Sequence, residues 1–326
     1  MQRTEKKFTV TSISDFKTKL LAWAQQSETI VWLDSNQYHQ KYSSFGAVLA
    51  IDEFTSIKTD YNNAFEQLKE YQTITKDYLF GYLSYDLKND IELVSSTNFD
   101  GLGFADLYFF QPKKLIFIHQ DTVEFRYLKM VDDEIDADFN EIMKTSFQTN
   151  VKDLEKENDV KIKLRIHKDE YYQKVNTLLE HIHRGDIYEA NFCQEFYAEN
   201  TCINPLEAYH HLNEISEPPF ATFLKCEQHY LLSASPERYL KKEGEKIISQ
   251  PIKGTAKRLR NPIDDAQIAF NLARDEKERS ENIMIVDLVR NDLSKTAKKG
   301  SVNIEELCKV YSFKQVHHLI STVVSE

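Results

Sequence analysis

The chain has 326 residues, of which 41% are hydrophobic and 12% are aromatic, so it can form a sizeable folded core and is not intrinsically disordered. Its formal net charge of −11 argues against nucleic acid as a partner, because phosphate binding requires a basic surface. The sequence has no apolar run of membrane-spanning or signal-peptide length, and its four cysteines show no metal-binding spacing, which predicts a cytoplasmic protein with free thiols and no membrane contact.

The first half of the sequence predicts a lobe of mixed α and β structure over residues 1–150. Apolar residues at helical spacing predict helices over residues 15–26 and 62–71. Runs of β-branched and aromatic residues predict strands over residues 29–33, 46–51, 78–85, 107–111, 114–119 and 122–127.

Residues 131–160 are polar, acidic and poor in strand-forming residues, which predicts a surface helix or a linker between two lobes. In the second lobe, over residues 160–326, helices are predicted at 168–184, 205–215 and 264–293. Strands are predicted there at 187–197, 220–225, 230–234, 239–242, 246–249, 301–304 and 307–313. Antiparallel strands with helices outside them predict an α+β sandwich.

Residues 249–255 are the most informative segment, because they place Lys253 in a turn-prone Pro-x-x-Gly setting just after a predicted strand. An amine is a nucleophile only when it is neutral, and desolvation or neighbouring cations favour that state. The nearby Lys257, Arg258 and Arg260 could crowd the amine or could bind an anionic substrate. Considered alone, a loop lysine is more often a solvated surface group.

Glu278 and Glu281 lie three residues apart in a predicted helix, so their carboxylates share one face. Such a face can bind Mg²⁺, a cation that prefers oxygen ligands and keeps several waters. The alternative is a solvated face with salt bridges to Lys277 and Arg274, and the spacing alone favours that alternative.

Further polar residues follow or interrupt predicted strands. Glu237 is either a water-facing edge residue or a general acid or base held on a rigid element. His317 and His318 are adjacent in a strand-like run, so they point to opposite faces and only one can face a pocket. Gly254 would allow a close backbone approach to a ligand and Thr255 could bind a carboxylate, although both are also ordinary turn residues.

Four segments of the chain resemble, in the same order, motifs of the chorismate-utilising enzymes, the family of anthranilate synthase component I. These segments are residues 235–238, 249–255, 275–293 and 316–321. Several separated motifs in register make the resemblance more specific than any one motif. Lys253 is similar to the lysine of the aminodeoxychorismate synthases in that family, since anthranilate synthases usually carry alanine there. The resemblance implies an anthranilate-synthase-type, two-lobed β-sandwich with outer helices.

The resemblance also implies a role for each candidate residue. A Mg²⁺ cofactor would be bound by Glu281, with Glu278 in an outer position, and the ion would hold the ring carboxylate of chorismate. The implied catalytic residues are Lys253, Glu237 and His318, and the implied substrate-binding residues are Gly254 and Thr255.

Relatives in this family have a tryptophan pocket, and two segments of this chain resemble its walls. Residues 32–35 are similar to a Leu-Glu-Ser segment, and residues 216–220 stand where relatives have Asn-Pro-x-Pro-Phe/Tyr. The implied pocket residues are Leu33, Ser35, Pro219 and Phe220. The asparagine of that motif is absent from this chain, so feedback control by tryptophan does not follow.

The resemblance runs from about residue 29 to residue 326, where family chains continue into a glycine-rich loop and a second magnesium glutamate. We therefore expect the C-terminal part of the fold to be missing. The implied activity is the Mg²⁺-dependent 4-amination of chorismate for 4-aminobenzoate and folate synthesis, with ammonia supplied by a glutamine amidotransferase partner. The alternatives are anthranilate synthase component I, a catalytically incompetent chorismate-binding fragment, and an α+β binding protein of another kind.

Overall fold

The computed structural model describes residues 2–38, 41–94, 96, 98–146 and 160–326. The chain divides into two compact units, Met1–Phe147 with Pro205–Glu326, and Gln148–Asn204. All candidate site residues belong to the first, larger unit.

Strands and helices occur in both halves of the chain. The strands are β1 (Arg3–Thr9), β2 (Thr29–Asp34), β3 (Ala47–Thr59), β4 (Phe80–Leu83), β5 (Leu107–His119), β6 (Thr122–Leu128), β7 (Lys163–Leu164), β8 (Phe196–Tyr197), β9 (Phe220–Cys226), β10 (His229–Ser235), β11 (Arg238–Glu243), β12 (Lys246–Gln250), β13 (Ile252–Lys257), β14 (Asn303–Ser312) and β15 (Val316–Ser325). The helices are α1 (Ile13–Ala24), α2 (Ala64–Thr75), α3 (Lys88–Ile91), α4 (Ile135–Lys144), α5 (Lys168–Arg184), α6 (Pro205–Ser216), α7 (Pro262–Leu272) and α8 (Glu276–Ser294).

An eight-stranded antiparallel sheet lies at the centre of the larger unit, in the order β1-β6-β5-β3-β2-β9-β10 with β4 paired to β5. Trp32 of β2 lies between Leu49 of β3 and Phe223 of β9. These three side chains are buried with residues of α1, α4 and α6. Val31 and Leu224 are buried on the opposite face, which explains why the central strands are continuously hydrophobic in sequence.

This sheet includes strands from both predicted lobes, because β9 and β10 follow the predicted linker in sequence and pair beside β2. The boundary between the predicted lobes falls at residues 151–159, which lie outside the described residues. Helix α4 occupies part of the predicted linker. It is not only a surface helix, because it buries Ile135 and Ile142 against the core.

A second, five-stranded antiparallel sheet carries the candidate site, in the order β11-β12-β15-β13 with β14 also paired to β15. Strands β12 and β13 lie end to end along β15, separated by Pro251. Proline has no backbone donor, but its carbonyl still accepts a hydrogen bond of 3.2 Å from the Ser321 backbone N–H. Helix α8 packs against β13, β14 and β15.

Several predicted elements differ from the structure, beginning with the two predicted strands over 107–111 and 114–119, which are one strand, β5. The predicted helix over 264–293 is two helices, because the Asp275 side chain caps the start of α8. The two predicted strands over 301–304 and 307–313 are one irregular strand, β14. The predicted strand over 187–197 is wrong except for β8, because a strand needs a partner and β7 offers only two residues.

The cysteines are free, with Cys226 and Cys308 buried, as the sequence predicts. In the described part of the chain, no helix combines the length and the apolar character that crossing a membrane requires.

Candidate active site

Lys253 and Gly254 form a β-bulge in β13. The pairing advances three residues on β13, from 252 to 255, while it advances two on β15, from 320 to 318. Gly254 has a backbone φ of 94°, which residues other than glycine rarely adopt. A Cβ added at this position would lie 3.0 Å from Leu319 Cδ1. The Pro-x-x-Gly segment is therefore a bulged strand and not a turn, because β15 supplies hydrogen-bond partners on both sides of the irregularity.

Two carboxylates lie beside this bulge. Glu237, just before β11, accepts a hydrogen bond of 3.1 Å at Oε1 from the backbone N–H of Ile252. Glu278, in the first turn of α8, has its Oε2 3.2 Å from the position that a Cβ on Gly254 would take. Glu237 therefore binds the residue before Lys253, and the Glu278 carboxylate occupies the space that a side chain at position 254 would enter.

His318 lies opposite Thr255 on β15, and its Nδ1 is 2.9 Å from the Thr255 hydroxyl oxygen. Burial lowers the pKa of His318 below its ordinary value of 6.5, and a backbone hydrogen bond with Gly254 partly opposes the shift. The imidazole is therefore mainly neutral at neutral pH, so it can both donate and accept a hydrogen bond.

His317 points to the other side of the sheet and is 2% exposed. Its Nε2 is 3.0 Å from Asp265 Oδ1 and its Nδ1 is 2.8 Å from the Ser312 hydroxyl. Asp265 also accepts hydrogen bonds of 2.9 and 3.0 Å from Arg258 Nε. The structure therefore puts only His318 beside the bulge. Of the three cations that follow Lys253 in sequence, Arg258 has its guanidinium held by Asp265 of α7.

Asp265 gives a prediction about acid stability. The Arg258 guanidinium and the Leu259 backbone N–H hold the pKa of the Asp265 carboxyl well below its ordinary value of 3.8. A depressed carboxyl pKa stabilises the fold above the ordinary value, and this contribution is lost as pH falls below it. We expect Asp265→Asn to lower the Tm at pH 7 and to weaken the pH dependence of the Tm below about pH 4.

The measurement is thermal unfolding monitored by circular dichroism across this pH range. Asp264→Asn is the matched control, because Asp264 is the exposed neighbour in the same turn of α7. Equal Tm values for the two variants at pH 7 would show that the buried network contributes nothing.

The donors on α8 fit the predicted cation. Glu278 and Glu281 are both partly buried, and Glu281 Oε1 lies 3.6 Å from Lys277 Nζ, a long and exposed ion pair that costs little to break. Among the described residues, no three His, Cys, Asp or Glu side chains are grouped closely enough to hold a metal by themselves. Two carboxylates nevertheless suit Mg²⁺, which commonly completes its shell with water and substrate oxygens.

Asn282 is a site residue that the sequence reasoning missed. It is 1% exposed, and its Nδ2 donates hydrogen bonds of 3.1 Å to Lys253 O and 3.0 Å to Leu319 O. A polar residue on the apolar face of a helix was the available signal, because buried amides nearly always have specific partners.

The residues predicted for the tryptophan pocket lie together at the β2–β9 junction. They line a cavity of about 170 Å³ whose walls include Leu33, Ser35, Pro219 and Phe220. Arg238 also lines this cavity, and its guanidinium lies over the Phe220 ring, 4.9 Å from the ring centre. This volume is below the roughly 300–1,000 Å³ of typical ligand pockets, and tryptophan binding stays a prediction.

Residues 28–326 match a protein-family model that is described as chorismate binding enzyme. Aminodeoxychorismate synthase component 1 of Escherichia coli is 41% identical over 159 residues, which are 49% of this chain and 35% of that protein. An anthranilate synthase component I-like protein of Synechocystis is 32% identical over 251 residues, which are 74% of this chain and 50% of that protein. The matched stretches thus span half or less of these relatives.

Solved structures share the fold at low sequence identity. Anthranilate synthase component I from Streptococcus pneumoniae matches with a TM-score of 0.69 and 21% identity, covering 89% of this chain and 71% of that chain. The menaquinone-specific isochorismate synthase of Escherichia coli matches with a TM-score of 0.63 and 11% identity, covering 100% of this chain and 70% of that chain. The predicted α+β fold of the anthranilate synthase type is confirmed.

Proposed function

Because this chain belongs to the chorismate-binding enzyme family, we propose that it is an aminodeoxychorismate synthase component I, which replaces the 4-hydroxyl group of chorismate with an amino group. The observation that supports the proposal is Lys253 on a bulge beside which Glu237 binds the Ile252 backbone and the Glu278 carboxylate lies close to Gly254. The 41% identity to the Escherichia coli enzyme of that name supports it.

The proposed reaction has two covalent steps at one amine. The neutral Lys253 nitrogen bonds to ring C2, the two ring double bonds shift, and the C4–O bond breaks. Glu237 donates the proton with which the hydroxyl leaves as water. Ammonia then bonds to C4, the double bonds shift back, and the bond between C2 and Lys253 breaks. The new C4 ammonium group loses one proton, which restores the acid form of Glu237. Overall, an amino group replaces the hydroxyl group, water is released, and nothing is oxidised or reduced.

The remaining residues would bind and orient the substrate. Glu281 and Glu278 would hold a Mg²⁺ ion, which supplies positive charge to the ring carboxylate when bound. The neutral imidazole of His318, held by Thr255, would offer a hydrogen bond to the substrate beside the bulge. Gly254 would let the backbone approach the ring. We propose that a glutamine amidotransferase subunit delivers the ammonia, since the Escherichia coli relative is named as a component.

Anthranilate synthase component I is the second candidate. The Synechocystis relative that matches 74% of this chain has an anthranilate synthase-like name. Lys253 argues against this activity, because anthranilate synthases usually carry alanine at the position that it occupies.

The deciding experiment incubates the protein with chorismate, Mg²⁺ and ammonium and identifies the products by liquid chromatography and mass spectrometry. Aminodeoxychorismate supports the proposal, and anthranilate replaces it with the second candidate. Saturable chorismate binding without turnover overturns the synthase proposal and leaves a chorismate-binding protein. If the protein shows no chorismate binding and no turnover, the result contradicts the whole assignment.

Glu281→Gln tests the proposed cation site. Loss of one carboxylate charge should raise the Mg²⁺ concentration needed for half-maximal activity by at least ~10-fold, since even supporting residues of metal sites change affinity by about 10–100-fold. Isothermal titration of Mg²⁺ into the protein should show the same loss without any turnover. Glu276→Gln, at an exposed position in the first turn of the same helix, is the control and should leave both values unchanged.

A further inference from the structure

Asn282 lies in α8 directly behind the bulge, and both ends of its side-chain amide have partners. The two N–H groups donate to the carbonyl oxygens of Lys253 and Leu319. Its Oδ1 accepts from the Ser321 hydroxyl, and the Cys308 sulfur, whose single hydrogen can be donated to Oδ1 or to the Arg279 carbonyl oxygen, is 3.6 Å from Oδ1. Because both donors and the acceptor of this buried amide are in use, one orientation of the side chain is strongly preferred.

The same cluster meets a second bulge on the other side of β15. The pairing advances three residues on β14, from 306 to 309, while it advances two on β15, from 322 to 320. Cys308 lies in this irregularity with a φ of 50°, and its backbone N–H donates a 2.9 Å hydrogen bond to the Ser321 hydroxyl. Asn282 and its partners thus connect β13, β14 and β15 at the level of Lys253.

A bulge leaves backbone groups outside the regular ladder, and buried groups of this kind need partners from elsewhere. Without the Asn282 amide, the Lys253 and Leu319 carbonyls would lose donors that come from the helix. Regular pairing across the irregularity would then be favoured. A shift of one residue turns a side chain to the opposite face of a strand.

We propose that Asn282 is a positioning residue for Lys253, which holds the bulge in the form that presents the amine to the substrate. The catalytic part of this inference rests on the proposed function, whereas the structural part concerns the Lys253 amine alone. Asn282 itself has no contact with the substrate in this scheme and acts only through the Lys253 backbone.

Asn282→Asp is the sharpest variant, because it keeps the shape of the side chain and replaces the donating nitrogen with oxygen. We expect kcat for amination to fall by about 10²-fold, as for an error of roughly 1 Å in placing a reacting group, while KM for chorismate changes little. Asn282→Ala, which removes donors and acceptors together, should show the same split between kcat and KM.

Leu293→Ala is the control for general loss of stability, because Leu293 is a buried residue in the last turn of the same helix and lies away from the bulge. It should lower the Tm while leaving kcat near the wild-type value. If Leu293→Ala reduces kcat as much as Asn282→Asp at equal fractions of folded protein, Asn282 has only a structural role and the proposal fails.

A second measurement needs no turnover. Trinitrobenzenesulfonate labels neutral amines, and peptide mass spectrometry follows Lys253 and the exposed Lys257 separately. We expect the labelling rate of Lys253 to change several-fold in Asn282→Asp, with Lys257 unchanged. Equal Lys253 labelling in wild type and variant overturns the inference. If the wild-type protein makes no aminodeoxychorismate, the proposed function fails, and the labelling result alone decides the positioning role.

Discussion

Lys253→Ala is expected to reduce the formation of aminodeoxychorismate by at least ~10³-fold, because the proposed carbon–nitrogen bond forms at this amine and removal of a covalent nucleophile has effects of that size or larger. The shortened side chain leaves the backbone bulge and the Asn282 hydrogen bond to its carbonyl in place. The loss should therefore appear in kcat more than in chorismate binding.

Lys242→Ala is the matched control, since this exposed lysine lies on β11 of the same sheet and the change removes the same charge. Mixing the enzyme with chorismate in the absence of ammonium and then quenching should attach the ring to the peptide that contains Lys253. Mass spectrometry detects that adduct in wild type and in Lys242→Ala. Full turnover by Lys253→Ala would exclude the covalent route.

Phe223→Ala is expected to give the largest loss of stability that we predict, about 3–5 kcal/mol, which is usual when a fully buried phenylalanine is truncated. Phe223 is 0% exposed on β9, directly opposite Trp32 of β2, and its ring centre is 5.6 Å from that of Tyr209. It therefore fills the junction at which a strand from the second half of the sequence joins the first sheet.

Tyr230→Ala provides the comparison, because Tyr230 lies on the next strand, 6.2 Å from the Phe223 ring centre, but is 38% exposed. Urea denaturation should give a much smaller loss of unfolding free energy for this variant. Equal losses for the two variants would mean that the core at this junction is not packed as described.

Local sequence patterns predicted the elements whose residues are apolar at a regular period. Helix α1 lies within two residues of its predicted bounds, and strand β2 extends one residue beyond its prediction. The pattern failed in β13, because a bulge is defined by a mismatch of lengths between two strands. The second strand, β15, lies about sixty residues further along the chain.

The candidate site was also predicted from the sequence only in part. The types of its residues could be predicted because proton transfer, cation binding and amine chemistry each require particular side chains. Asn282 was missed since its importance lies in the backbone carbonyls that it reaches. The sequence left the role of Arg258 open, because its partner Asp265 is brought beside it only when α7 packs against β13.

The sequence by itself determined the α+β class, the family resemblance and the candidate residues, because hydrophobic periodicity and motif spacing are local properties of the chain. Only the tertiary structure decided that β9 and β10 extend the first sheet, that Lys253 lies on a bulge, and that Asn282 donates a hydrogen bond to the Lys253 carbonyl. These features depend on hydrogen bonds and packing between segments far apart in sequence. No local pattern encodes which distant partner will satisfy a given backbone group.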